Sequence, residues 1–161
     1  VEARLDDLAA RGIHALCLTG PGGRDERLER TGSVVHFLPF CHQMAAAYSA
    51  ADLAVTRAGA GTLAELATCR TPAILVPLPH AADDHQTANA LQAAAGGAAI
   101  LLPERELGRL GEVAFGGITD NAALAAMRDA LALADAANHW EELARETVAW
   151  AQARGGRVSP A

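Results

Sequence analysis

Short apolar runs alternate with longer amphipathic stretches along this chain. "IHALCL", "SVVHFL", "ADLAVT", "PAILVPL" and "AAILL" are brief, rich in aliphatic residues and bounded by turn-forming positions, which predicts buried strands. Between them lie segments with helical spacing. "VEARLDDLAARG" predicts a helix ended by Gly12, "RDERLER" a short charged helix, and "HQMAAAYSA" and "GTLAELATCR" two more. "DDHQTANALQAAAG" predicts a helix stopped by Gly96 and Gly97. "DNAALAAMRDALALA" and "HWEELARETVAWAQAR" predict the last two. Such alternation is the pattern of an α/β domain with a doubly wound parallel sheet of Rossmann-like topology. A domain that opens on a helix has no preceding strand to cross over from, so the reading is of a sheet whose first strand is missing from the chain. The tail "ARGGRVSPA" reads as a frayed end, giving a domain over residues 1–154 and a tail over 155–161.

At 161 residues the chain is long enough for one domain with a sizeable core. Its apolar fraction is 51% with only 4% aromatic residues, so that core relies on alanine and aliphatic side chains. A net charge of −6 argues against nucleic acid and anionic membrane surfaces as partners, because both call for basic patches. An anionic small ligand stays possible, since backbone amides at a helix start supply local positive potential. Cys17, Cys41 and Cys69 have no CxxC spacing and read as reduced thiols of a cytosolic protein. No run approaches the length of a transmembrane segment.

The chemistry concentrates in two places. In "ADLAVTRAGAGTLAELA", residues 51–67, a strand enters a turn of Arg57, Ala58, Gly59, Ala60 and Gly61, and Thr62 is expected to open a helix. Small residues let the backbone approach a phosphate, and the free amides of the first turn face it. The spacing meets neither the GxGxxG nor the Walker A pattern, so a plain tight turn is an equal reading. "TLAE" has two readings as well. It is either a capping box, with the Thr62 hydroxyl on a backbone amide and Glu65 reaching back, or a helix start whose Glu65 accepts hydrogen bonds from ribose hydroxyls.

The second place is "HAADDHQTAN", residues 80–89. His80, Asp83, Asp84 and His85 have the donor types of a metal site, but the two histidines stand five apart, on different sides of a helix and unlike HExxH. No metal is expected. A solvated helix start capped by Asp83 or Asp84 is the bland alternative. His14 and His36 read as core or edge residues, His42 and His139 as helix-start residues, and Trp140 and Trp150 as one packing face of the last helix.

The segment "RAGAGTLAELATCRTPAILVPLPHAADDHQTANA", extended upstream by "FLPFCHQMAAAYSAADLAVT", resembles the donor site of the MurG-type glycosyltransferases of family 28. The resemblance implies the C-terminal, donor-binding half of a two-domain GT-B enzyme. Such enzymes transfer N-acetylglucosamine from UDP-GlcNAc to an undecaprenyl-linked muramyl-pentapeptide in peptidoglycan synthesis, without cofactor or metal. By position it implies the amides of Ala60, Gly61 and Thr62 on the diphosphate and Glu65 on the ribose. Main chain near Cys41 would face the uracil, with Met44 beside it. His85 and Gln86 would meet the sugar hydroxyls, Asn89 would support their loop, and Arg57 would brace the turn or lie near the phosphates.

The resemblance further implies what this chain lacks. The first strand with its Gly-rich loop, and the N-terminal domain with acceptor pocket, membrane-contacting surface and general base, have no counterpart here. The fragment alone is therefore expected to bind donor weakly and not to catalyse. The full-length protein would sit in the cytoplasm, peripheral to the inner face of a bacterial plasma membrane. The competing readings are a GT-B transferase with another UDP-sugar or lipid acceptor, a stand-alone nucleotide-sugar-binding subunit like that of the dolichol pathway, and an α/β domain with no nucleotide site.

Overall fold

A computed structural model describes residues 5–30, 32–79 and 84–137, with Arg145, Glu146 and Ala149. The elements run α1 (Leu5–Ala10), β1 (Ala15–Leu18), β2 (Glu26–Arg30), β3 (Ser33–Leu38), α2 (Met44–Ala50), β4 (Ala54–Thr56) and α3 (Ala60–Cys69). They continue with β5 (Ala73–Leu75), α4 (His85–Ala95), β6 (Ala99–Leu101), a 3-10 helix (Glu104–Arg109), α5 (Leu110–Thr119) and α6 (Asn121–Ala137). The expected helix over "HWEELARETVAWAQAR", with His139, Trp140 and Trp150, and the tail lie largely outside the described residues.

The strands form two three-stranded hydrogen-bonded groups, ordered β1-β3-β2 and β4-β5-β6. The second is wholly parallel, with Ala54, Ala73 and Ala99 in one row and Thr56, Leu75 and Leu101 in another. Helices cover both faces of its central strand, which is a continuous apolar run. Ile74 and Leu75 have no exposed surface. Leu66, Ala67, Ala90 and Leu131 from α3, α4 and α6 pack on one side of β5, around Ala73 and Leu75. Leu110, Val113 and Ala114 of α5 pack against Ile74, Val76 and Leu102 on the other.

Two elements depart from the sequence reading. "RDERLER" is not a helix: Glu26–Arg30 is a strand antiparallel to β3, with Leu28 opposite Val35 and Arg27 opposite His36. Gly32, at φ +86°, makes the reversal that L side chains rarely allow. The strand period is what sorts the residues: Leu28 joins the Val35–Phe37 cluster, while Arg27 and Glu29 pair at 2.9 Å on the opposite face. The guanidinium of Arg24 lies 3.8 Å from the centre of the Phe37 ring, covering it at the sheet edge. A charged edge strand is how a sheet avoids further pairing, and its composition resembles that of a solvated helix. The second departure is α5, which "LGEVAFGGIT" hides behind three glycines. It spans both sheets, since its Phe115 reaches the Val35–Phe37 cluster while Val113 and Ala114 face β5 and β6.

Candidate functional site

The loops that follow β4, β5 and β6 converge at the carboxyl ends of a parallel sheet, the place where open α/β domains bind ligands. The first is the Gly-rich turn. Helix α3 starts at Ala60, with Gly59 as N-cap at φ −70°, ψ 147° and no side-chain cap bond. Thr62 therefore stands in the third helical position rather than at the opening, and Glu65 lies a full turn inside. The capping-box reading fails, because the N-cap is Gly59, three residues before the Thr62 of "TLAE", and no side-chain cap bond is made. In its place, the amides of Ala60, Gly61 and Thr62 are three of the four that an α-helix leaves without internal acceptors; the first internal bond is Leu63 N to Gly59 O at 3.0 Å.

Neither turn glycine is required by the chain itself. A Cβ on Gly59 would meet nothing nearer than Thr62 Oγ1 at 3.9 Å, and one on Gly61 would meet nothing within 4 Å. Both lack the positive φ that favours glycine. Open space in front of unpaired amides, at the positive end of a ten-residue helix, is a receptive setting for an anion.

Glu65 is exposed and makes no hydrogen bond or ion pair among the described residues. It lines a groove of ≈ 250 Å³ with Ala45, Ala64, Thr68 and Cys69, between α2 and α3. Met44 is the first residue of α2, next to the groove-lining Ala45, and Cys41 lies in the loop between β3 and α2. Tyr48 of α2 lies near Glu65. Burial pushes its phenol above the usual range and the negative charge of Glu65 adds to this, against a hydrogen bond with the Thr56 side chain. Main chain at Tyr48 is fixed by Thr71, whose hydroxyl donates to its carbonyl at 2.9 Å.

The start of α4 supplies the rest. His85 is its first residue and is exposed. Gln86 Oε1 accepts the Leu78 amide at 3.0 Å, which assigns the orientation of the side-chain amide and leaves its Nε2 hydrogens as what Gln86 can offer a ligand. Asn89 Nδ2 donates to Ala58 O at 3.0 Å, tying α4 to the Gly-rich turn. Arg57 does not face the amide end of α3. Its guanidinium donates to Val76 O (3.2 Å), Pro77 O (3.4 Å) and both carboxylate oxygens of Glu104 (3.1 and 3.5 Å). Of its two expected placements, the brace is the one its contacts describe.

Asp84 occupies the N-cap position of α4, yet its backbone is left-handed at φ 56° and its side chain makes no cap bond. The cap role expected there is not fulfilled, because a side chain reaches the first-turn amides only from extended backbone. His80 and Asp83 lie outside the described residues. Among the described residues, no three His, Cys, Asp or Glu side chains converge as metal ligands would. His14 accepts the Val34 amide at 3.1 Å, and His36 lies 3.6 Å from Asp25, so both serve the β1-β3-β2 sheet. Sequence reasoning passed over Tyr48 and Glu104. Nothing local marks either one, since each is brought to the site by a different strand connection.

A larger crevice of ≈ 640 Å³ opens between α3, α4 and α6, lined mostly by alanine and leucine. It touches Ala60, Asn89 and Gln92 but offers little hydrogen bonding.

These features define an open α/β domain with an anion-receptive helix start and a ring of polar groups at the sheet's carboxyl edge. Residues 1–143 match the glycosyltransferase family 28 C-terminal domain, and the chain belongs to that family. Over 99% of its length it is 39% identical to the UDP-N-acetylglucosamine–N-acetylmuramyl-(pentapeptide) pyrophosphoryl-undecaprenol N-acetylglucosamine transferase of Opitutus terrae, of which it spans 44%. The enzyme of the same name from a Synechococcus species is 59% identical over 105 residues, which are 65% of this chain and 29% of that one. The chain thus spans less than half the length of these relatives. Among solved structures it is similar to Acinetobacter baumannii MurG, with TM-score 0.64 and 33% identity over 74% of this chain and 36% of that one. The glycotransferase of kitacinnamycin shares the fold, with TM-score 0.61 and 24% identity over 83% of this chain and 35% of that one.

Proposed function

We propose that this chain is the donor-binding part of an N-acetylglucosaminyltransferase. It holds UDP-GlcNAc for inverting transfer of the sugar to a lipid-linked muramyl-pentapeptide in peptidoglycan synthesis, at the inner face of a bacterial plasma membrane. The observation that carries the reading is the open amide end of α3, with no capping side chain and with Glu65 exposed one turn along. The diphosphate rests on the amides of Ala60, Gly61 and Thr62. Glu65 accepts the ribose hydroxyls in the groove beside α2, and the uracil lies toward Cys41 and Met44. His85 and Gln86 meet the sugar, where an amide donor fixed by its own oxygen discriminates hydroxyl positions.

The chemistry this half contributes is electrostatic. When the acceptor hydroxyl attacks the anomeric carbon and the bond to the diphosphate breaks, negative charge grows on the departing oxygen. The amide end of α3 offsets that charge without reorganising. Deprotonation of the acceptor falls to the part of the enzyme that this chain does not span. The activity of the relatives named above, the match of the family over residues 1–143 and the position of these groups support the reading. Among the described residues no helix is long and apolar enough to cross a membrane.

Calorimetric titration with UDP-GlcNAc, UDP-glucose and GDP-mannose tests it. Preference for UDP-GlcNAc that weakens in Glu65→Ala and in Gln86→Ala supports the assignment. Equal heats for all three, or heats still absent from the full-length protein, refute it.

A further inference from the structure

The segment Val76–Pro79 joins β5 to the region before α4, and it is poor in means of holding itself. Pro77 and Pro79 carry no N–H, so only the amides of Val76 and Leu78 can anchor it. Val76 N donates to Thr56 O at 2.8 Å, and Leu78 N is held by Gln86 at 3.0 Å. The carbonyls of Val76 and Pro77 have Arg57 as their donor. Arg57 is itself 45% exposed on a long flexible stem, and what orients it is the two-pronged contact with Glu104, which is 33% exposed. Glu104 follows Pro103 and opens the 3-10 helix after β6. One carboxylate thus fixes one guanidinium, which ties together the connections after β4, β5 and β6. On the far side Asn89 closes the ring by holding Ala58 O.

Resting on the donor-binding reading, we propose that Glu104 is a positioning residue of that site. Through Arg57 and the Val76–Pro77 carbonyls it sets the Gly-rich turn at the right distance from the α4 start that carries His85 and Gln86. A planar guanidinium held on two carboxylate oxygens transmits position better than a single contact does. The Gly-rich turn and α4 belong to different strand connections, so their spacing depends on such ties. The diphosphate and the sugar of one donor must be met at both places simultaneously, and a shift of the order of 1 Å between them weakens binding without unfolding anything.

The test compares the full-length protein with its Glu104→Ala, Glu104→Gln and Arg57→Lys variants by amide hydrogen exchange and by UDP-GlcNAc titration. In Glu104→Ala and Arg57→Lys, exchange of the Leu78 amide is expected to rise about tenfold while Ile74 in β5 stays as it was. UDP-GlcNAc affinity is expected to fall about five- to tenfold at a nearly unchanged thermal midpoint. Glu104→Gln keeps an acceptor oxygen for Arg57 and is expected to recover part of the loss. Unchanged Leu78 exchange overturns the proposal. So does faster exchange with undiminished affinity, which would make the pair a brace and nothing more. A full-length wild-type protein that binds no UDP-GlcNAc overturns the donor reading itself, and the positioning role with it, before any substitution is compared.

Discussion

The two sheets are built on opposite principles. In β4-β5-β6 the central strand is buried at every position, its neighbours run parallel to it, and helices cover both of its faces. In β1-β3-β2 only the central β3 is buried at alternate positions. Its partner β1 leaves Leu16 and Leu18 each 47% exposed, and the charged hairpin strand β2 faces solvent. The polar groups of the candidate site are concentrated around β4-β5-β6. Binding groups on loops need a rigid frame beneath them, and the sheet with a continuous apolar core supplies it. The β1-β3-β2 sheet contributes the Cys41–Met44 connection.

The sharpest way to break this contrast is to empty each core in turn. Ile74, fully buried between β5's neighbours and α5, should cost about 3 kcal/mol as Ile74→Ala, from lost transfer energy and a cavity that cannot collapse. Leu28→Ala on β2, only partly buried, should cost about 1 kcal/mol. Urea denaturation of both variants measures the difference, and equal losses would mean the two sheets are equally well built.

Next in size is a function-selective effect. Glu65→Gln should weaken UDP-GlcNAc binding by about 10- to 100-fold, the value of charged hydrogen bonds to a ligand. Because the side chain is exposed and caps nothing, its thermal midpoint should hardly move. A large stability loss with unchanged affinity would return Glu65 to a structural role. Asn89→Ala should cost about 1 kcal/mol, since it leaves the Ala58 carbonyl without its donor in a half-buried setting, and thermal unfolding reads it.

Tyr48 offers a pH probe at the boundary of the two regions, and it is the chain's one tyrosine. Burial, then the charge on Glu65, raises its folded pKa above the ordinary value of 10.0. Its contribution to stability is therefore fully present below pH 10.0 and is lost as pH climbs toward the folded pKa. Phenolate absorbance should titrate later in the folded chain than in urea. Tyr48→Phe should flatten the alkaline limb of the stability curve, and a coincident titration in both states would remove the argument. The smallest effect belongs to the hairpin. Arg27→Ala breaks an exposed ion pair with Glu29 and should change stability by no more than about 0.5 kcal/mol in the same urea experiment.

How much was legible beforehand varies with the range of the interactions involved. The five apolar strands could be read because period and length are local properties of a buried strand, and the helix stops at Gly12 and at Gly96–Gly97 for the same reason. The "RDERLER" strand could not. Its residues favour solvent in either conformation, and pairing with β3 across the Gly32 reversal decided between them. The cap of α3 lies three residues before Thr62, which Thr62 and Glu65 conceal by mimicking a capping box. The chain's path out of β4 puts Gly59 at the cap instead.

By itself, then, the sequence determined the alternation of strands and helices, the apolar sheet and the small-residue turn that leaves amides open, because each depends on residues close together along the chain. It also carried the family resemblance, which rests on a long run of fixed polar positions. Tertiary structure alone decided which side chains meet. Asn89 reaches Ala58 across 31 positions and Arg57 reaches Glu104 across 47. Such contacts depend on how parallel strands order themselves in a sheet, and no local pattern encodes that order.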